Sequence, residues 1–136
     1  MKNITAAVCI DDKGGMLFNK RRQSRDRVLI DDLCKSAERV IALPFSAILF
    51  EGRDNALICD EPLSAATDGD VIFIENLPVS SIASEVKKIV IYKWNRVYPA
   101  DMKIDFSPTE NGFKLIESYE FEGSSHEKIT KEIYER

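Results

Sequence analysis

The chain has 136 residues, 44% of them hydrophobic, and a formal net charge of −4. These values fit one soluble globular domain over residues 1–136, and the acidic balance argues against a protein that binds nucleic acid with its whole surface. The apolar run at residues 4–10 is too short for a membrane span or a signal peptide. We therefore expect a cytoplasmic protein that has no membrane partner.

The first third of the chain predicts a buried strand, a turn and an amphipathic helix. Residues 2–10 form a nearly continuous apolar run, which is typical of a strand covered on both faces. Gly14 and Gly15 indicate a turn, because glycine adopts positive φ at little cost. Residues 25–38 carry apolar side chains at helical spacing, with Ser24 as the predicted N-cap and Asp26 in the first turn.

The middle of the chain alternates strands with short helical pieces. Four strands are predicted, at residues 39–43, 56–59, 71–74 and 88–94, and the one at 71–74 is expected to be buried. Pro44 predicts the start of a short helix that continues over residues 45–50. Between the later strands, the sequence predicts a loop at residues 60–70. Residues 78–85 can form no more than a short helix.

The end of the chain follows a different pattern. Apolar and polar residues alternate from Phe113 to Phe121, and residues 128–134 return after a turn, which predicts an antiparallel hairpin with one wet face. Together these elements predict an α/β fold: a single domain with a mixed, mostly parallel sheet flanked by helices and a C-terminal antiparallel hairpin.

Residues that often carry chemistry are few. The three cysteines lie far apart without C-x-x-C spacing, so we expect reduced thiols that pack as small core residues. The only histidine, His126, is expected at the surface of the hairpin turn, with no second histidine for a metal set. Asp31 and Asp32 are expected on the solvated face of the helix. No metal site is predicted.

A cluster of positive charge precedes the first helix. Five of the nineteen basic residues lie within eight positions, namely Lys20, Arg21, Arg22, Arg25 and Arg27. Next to a helix N-terminus, such a patch suits a phosphate, a nucleotide or an RNA backbone. It lacks interleaved aromatic residues, so base stacking is not indicated. The alternative is a solvated helix start whose cations pair with acidic residues of the same helix.

The order of these parts resembles that of dihydrofolate reductase. The run at residues 4–11, the Gly15-Met16 loop and Asn19 resemble the opening strand and active-site loop of that family. The turn Gly52-Arg53-Asp54-Asn55 resembles its Gly-Arg-x-Asn turn, and residues 88–101 resemble its late strand and the turn after it. Residues 106–108, 113–121, 125–126 and 133–136 resemble its closing hairpin in order and spacing. The resemblance covers most of the chain and rests on the shared order of weak motifs.

Several departures from the family bear on its substrate site. Asp26 is the nearest candidate for the substrate-binding carboxylate, but it stands about two positions closer to the loop than the family pattern requires. Residues 21–23 replace the family's Trp and Pro, and Met102 stands where a threonine helps to hold the pterin. The substrate chemistry implied by the resemblance is therefore expected to be lost.

The cofactor motifs of the family are also missing. Residues 43–46 replace its phosphate-binding turn and offer neither a close backbone approach nor a cation. Glu75-Asn76-Leu77 replaces its Gly-Gly turn, and a carboxylate there repels a pyrophosphate. The stretch between Asp60 and Lys88 is shorter than in the family, so one element of the cofactor half is expected to be missing. We therefore expect no bound cofactor and no NADPH-dependent reduction.

Three functional hypotheses remain. The first, which we prefer, is a reductase-like protein that has lost its cofactor site and NADPH-dependent activity and serves as a binding or regulatory protein, with an anionic small ligand at the basic run. The second is a divergent pterin or nucleotide reductase with Asp26 as its acid. The third is binding of RNA or another phosphoanion through the same run, Lys20 to Arg27.

Overall fold

The computed structural model describes residues 3–136. Its strands are β1 (Thr5–Ile10), β2 (Gly15–Phe18), β3 (Arg21–Arg22), β4 (Arg39–Ala42), β5 (Ala56–Ile58), β6 (Asp70–Ile74), β7 (Lys88–Lys93), β8 (Met102–Lys103), β9 (Lys114–Phe121) and β10 (Ile129–Glu135). Its α-helices are α1 (Arg27–Lys35) and α2 (Pro62–Ala65), and short 3-10 helices cover Pro44–Phe50, Val79–Ser81, Ala83–Glu85 and Thr109–Asn111. The predicted first strand began at Lys2, which lies outside the described residues.

Seven strands form one mixed sheet in the order β5-β4-β6-β1-β7-β10-β9. The first five are mutually parallel, while β10 runs antiparallel to β7 and pairs with β9 as the C-terminal hairpin. The predicted α/β class, the mostly parallel sheet and the closing hairpin are confirmed. β1 lies at the centre, as its uninterrupted apolar run predicted.

The sheet separates two hydrophobic cores, because successive side chains of a strand point to opposite faces. Ala6, Val8 and Ile10 of β1 belong to one core, and Ala7 belongs to the other. α1 covers the second core with Leu29, Ile30 and Leu33, which recur at helical spacing. Because the first five strands are parallel, their carboxyl ends lie at one edge of the sheet, beside the start of α1.

The predicted helix boundaries were wrong at both ends of α1. Ser24 was expected as the N-cap of a helix over residues 25–38, whereas the helix begins at Arg27 and its N-cap is Asp26. The Asp26 carboxylate accepts hydrogen bonds from the N–H groups of Val28 and Leu29, which Ser24 is too far back to reach. The predicted loop at residues 60–70 also contains the one-turn helix α2.

A second, three-stranded sheet was not predicted. It has the order β3-β2-β8 and folds the segment after Gly14 over the carboxyl edge of the main sheet. Gly15 allows this close approach, because a Cβ there would overlap the Gln23 amide and the Ala100 side chain. The strands of this small sheet are only two to four residues long, so their sequences are too short to show the periodic pattern of a strand.

The expectation that Asp32 belongs to a solvated face was wrong. Its carboxylate accepts hydrogen bonds from the Tyr92 hydroxyl at 2.7 Å and from Lys131 Nζ at 2.8 Å, and the Lys131 side chain is buried. Burial and the adjacent carboxylate raise the pKa of Tyr92. This cluster joins α1 to β7 and β10. Within residues 3–136, no helix is long and apolar enough to cross a bilayer.

Candidate functional site

The candidate site lies at the carboxyl edge of the main sheet, where the small sheet covers the ends of β1, β6 and β7. Asp11, which follows β1, holds the small sheet against this edge. Its buried carboxylate accepts hydrogen bonds from the N–H groups of Gly15, Lys13 and Tyr98 and from the Gln23 amide. Burial alone would raise the pKa of Asp11, but these donors outweigh it and hold the pKa below its usual value.

An ion pair fills the space under the cover. Arg22 of β3 donates from Nε to Glu75 Oε2 at 2.9 Å and from Nη2 to Glu75 Oε1 at 3.0 Å, and Nη2 also donates to the Phe45 carbonyl. The Ser46 hydroxyl donates to Glu75 Oε1 at 2.6 Å. A cavity of only about 10 Å³ remains beside the pair. The space at the end of β6 is thereby filled by side chains whose polar atoms form hydrogen bonds with one another.

The Cys9 side chain lines the same small cavity. Burial, followed by the charges of Glu75 and Asp26, raises the pKa of its thiol well above the usual value. A thiol held in its protonated form is a poor nucleophile. The three cysteines are free and partly buried, and each packs against one of the two cores.

The structure does not bring the five basic residues of the run together. Lys20 lies in the tight turn between β2 and β3 with a φ of 62°, and Arg21 is exposed beside it. Arg22 forms an ion pair with Glu75, so its charge is neutralised within the chain. Arg25 and Arg27 lie on another side, at the start of α1. The run is therefore divided among three places.

Arg25 and Arg27 line an open pocket of about 250 Å³ with Arg53, a residue for which the sequence predicts only a turn. The lining also includes the apolar residues Ile30, Ile48 and Leu49 and the acidic residues Asp26 and Glu51. Arg53 forms an ion pair with Asp31. An arginine next to the glycine of a turn that follows a short helix is the signal that could have identified this third cation.

The N-terminus of α1 does not present free donors to this pocket. The N–H groups of Val28 and Leu29 donate to Asp26, and that of Arg27 donates to the Ser124 hydroxyl at 3.0 Å. The predicted contribution of the helix end to an anion site is therefore already used within the chain. Attraction of an anion there depends on the arginine side chains.

Asp26 is buried at a junction between the first helix and the hairpin turn. Besides capping α1, its carboxylate accepts hydrogen bonds from the N–H groups of Ser124 and Ser125, both at 2.9 Å, and from His126 Nδ1 at 3.0 Å. Burial alone would raise its pKa, but these donors lower it far below the usual value. Gly123 is required beside it, because a Cβ there would collide with the carboxylate.

The prediction that His126 is a surface residue was wrong. The side chain is 1% exposed and stacks on the Trp94 ring, with centroids 4.5 Å apart and an interplanar angle of 22°. Its Nε2 lies 2.9 Å from the Tyr98 hydroxyl and 3.1 Å from the Ser24 hydroxyl. The site thus contains a buried Asp–His pair with two hydroxyl groups on the far nitrogen of the imidazole.

Sequence reasoning missed this cluster because its members are about 100 residues apart, as Asp26 and His126 are. A buried carboxylate and a lone histidine give no local pattern. The same reasoning predicted no metal site, and among residues 3–136 no group of three His, Cys, Asp or Glu side chains is placed to hold a metal ion.

The comparisons with known proteins concern the fold. No protein-family model and no curated protein matches the sequence. Among solved structures, the chain is similar to dihydrofolate reductase from Enterococcus faecalis complexed with NADP(H) and RAB-propyl. The TM-score is 0.67 at 11% identity, over 98% of this chain and 96% of that one. The chain therefore has the dihydrofolate reductase-like fold that the resemblance implied.

Proposed function

We propose that this protein binds a small organic anion and does not carry out NADPH-dependent reduction. The observation that carries the proposal is the pocket of about 250 Å³ that Arg25, Arg27 and Arg53 line together. Guanidinium groups suit carboxylate and phosphate, because their N–H groups form paired hydrogen bonds with two oxygens. The apolar wall of Ile48 and Leu49 favours a ligand with a hydrophobic body.

The charges around the pocket limit the ligand. Arg53 already shares its charge with Asp31, and Asp26 and Glu51 add negative charge to the lining. Arg25 and Arg27 have no such partner among the ion pairs of residues 3–136. A ligand with one or two negative charges suits this balance better than a long polyanion. An aromatic dicarboxylate is the simplest probe of that class.

The filled cleft supports the absence of reductase activity. The similar enterococcal protein is described with NADP(H), and a ligand of that size needs a pocket of about 300 Å³ or more. In this chain Arg22 and Glu75 close the space at the end of β6 to about 10 Å³.

The two other hypotheses receive less support. Asp26 is a poor proton donor for a reductase, since its side chain is fully buried and its lowered pKa keeps it ionised. A site for RNA would need the basic run on one surface, and the run is divided among three places. We therefore propose neither role.

Calorimetric titration with isophthalate tests anion binding. We expect saturable binding that weakens about 10-fold in Arg27→Ala and in Arg25→Ala, since each loses a charge-assisted hydrogen bond. Lys35→Ala is the matched control, because Lys35 is an exposed cation at the other end of the same helix. Equal affinity in Arg27→Ala and Lys35→Ala, or no saturable binding at all, would contradict the proposal.

A separate titration addresses the cofactor. NADPH fluorescence should stay unchanged when the protein is added, because the cleft at the end of β6 is filled. Saturable binding of NADPH at micromolar protein would refute the claim that reduction is lost, whatever the result with isophthalate. The two halves of the proposal can thus fail independently.

A further inference from the structure

The cluster around His126 has a geometry that neither anion binding nor the reductase-like fold requires. Ser24 Oγ lies 3.1 Å from His126 Nε2, and His126 Nδ1 lies 3.0 Å from Asp26 Oδ2. Both distances fall in the range that serine nucleophiles and their bases use. Such a set is recognised by geometry and roles rather than by chain order. We propose that Ser24 is a nucleophile that accepts acyl groups from small activated esters, with His126 as its general base.

The hydrogen bonds around the imidazole assign its tautomer. The Asp26 carboxylate is ionised and can only accept, so Nδ1 carries the proton and donates it to Oδ2. Nε2 is then left with its lone pair. The hydroxyl groups of Ser24 and Tyr98 both point to that atom and can donate to it. This is the state in which an imidazole takes a proton from serine.

The surroundings hold the imidazole in this orientation. The Trp94 ring stacks on one face of His126, and the Tyr98 ring lies against it at 81°. Neither Asp26 nor His126 is reached by solvent, whereas Ser24 is only partly buried. Because Tyr98 alone would satisfy Nε2, the Ser24 hydroxyl is not needed for that purpose. Of the three residues only Ser24 is partly exposed, and the cavity that it lines is only about 10 Å³, so any approach to its Oγ is narrow.

The reaction balances with groups of this chain and water. Ser24 Oγ attacks the carbonyl carbon of the ester, and its proton passes to His126 Nε2. The Tyr98 hydroxyl, 2.9 Å from Nε2, is released when Nε2 is protonated and can then donate to the oxygen that becomes negative. The C–O bond to the leaving alcohol breaks, and that alcohol takes the proton from Nε2. Water then cleaves the acyl group from Ser24 by the same steps. Asp26 acts through His126 as a positioning residue.

Covalent labelling tests the nucleophile. Methanesulfonyl fluoride is small enough for a narrow approach, and its S–F bond breaks as the serine oxygen bonds to sulfur. Peptide mass analysis of the full chain should find one adduct, on Ser24, and none in Ser24→Ala. Ser118→Ala is the control, because Ser118 is an exposed serine on the edge strand β9. A wild-type chain that stays unlabelled, or is labelled elsewhere, overturns the proposal.

Hydrolysis of p-nitrophenyl acetate tests the role of His126. The rate above buffer should fall about 100-fold or more in Ser24→Ala and in His126→Gln. Tyr98→Phe should keep the labelling of Ser24 and lower the hydrolysis rate about 10-fold. Ser24→Ala removes only a hydroxyl, so it keeps the test decisive if His126→Gln fails to fold. Undiminished hydrolysis in Ser24→Ala overturns the proposal.

A nitrogen-15 NMR spectrum tests the positioning role of Asp26. His126 is the only histidine, so its two ring signals need no assignment by mutation. We expect a protonated Nδ1 and an unprotonated Nε2, and a shift toward the other tautomer in Asp26→Asn. A merely structural carboxylate would leave these signals in place. The opposite tautomer in the wild-type chain would exclude His126 as the base for Ser24.

Discussion

Replacing Asp26 by alanine tests the structural junction directly. The substitution removes the N-cap of α1, worth about 1 kcal/mol. It also leaves the buried Nδ1–H of His126 without its acceptor, together with the N–H groups of Ser124 and Ser125, two exposed residues. Each such group costs about 1–2 kcal/mol when buried and unpaired. Because only the His126 group is buried, the cap and that group together predict a loss of about 2–3 kcal/mol.

Urea unfolding followed by tryptophan fluorescence measures this loss. Trp94 is the only tryptophan and stacks on His126, so its emission reports the junction itself. Asp12→Ala is the control, because Asp12 is an exposed carboxylate in the turn after β1, and its loss should cost less than about 0.5 kcal/mol. If Asp26→Ala loses no more stability than Asp12→Ala, the reasoning about the junction is refuted.

The effect of Asp26 should also depend on pH with a defined sign. Its folded pKa lies below its value of 3.8 in a model peptide. A carboxylate whose pKa is lowered by folding stabilises the folded protein fully at a pH above its pKa in the unfolded chain. It loses that contribution as the pH falls toward its pKa in the folded protein. The difference between the wild-type chain and Asp26→Ala should therefore be largest near neutral pH and shrink below about pH 4.

Three further outcomes are expected. A double-mutant cycle on Arg22 and Glu75 should give a coupling energy of about 1–2 kcal/mol, since the pair is largely buried and doubly hydrogen-bonded. Gly123→Ala should lose about 2 kcal/mol in urea unfolding, because the new Cβ collides with the Asp26 carboxylate. Tyr92→Phe should leave the absorbance change at 295 nm below about pH 11 as large as in the wild-type chain, since burial raises the Tyr92 pKa.

Each of these has a contrasting measurement. The same cycle on the exposed pair Lys128 and Glu120, 3.7 Å apart, should give less than about 0.5 kcal/mol, and an equal value for both pairs would contradict the burial argument. A Gly123→Ala protein as stable as the wild-type chain would show that the hairpin turn can move away from Asp26. A smaller absorbance change in Tyr92→Phe would mean that Tyr92 ionises with the others.

Most of the main sheet could be predicted from the sequence because its strands carry continuous apolar runs. β1, β4, β6 and β7 appear where those runs are, and the alternation after Phe113 marks β9 of the hairpin. The small sheet could not be predicted, since two-residue strands have no period. The error at α1 arose because Ser24 and Asp26 are both good N-caps, and only the distant hairpin turn decides between them.

The candidate site was much less predictable. The charges of the basic run were visible in the sequence, but their separation depends on where β3 and α1 point. Arg22 was counted as free because its partner, Glu75, follows a strand more than fifty residues away. The environment of His126 was missed for the same reason. Burial of a single polar residue is set by contacts between distant segments, which no local spacing records.

The chain order of the central strand has a consequence for synthesis on the ribosome. β1 is made first, but its neighbours in the sheet, β6 and β7, begin only at Asp70 and Lys88. The Asp26 junction closes later still, when His126 has emerged. The nascent chain must therefore carry an unpaired apolar strand through most of translation, which is the condition under which strands associate wrongly or recruit chaperones.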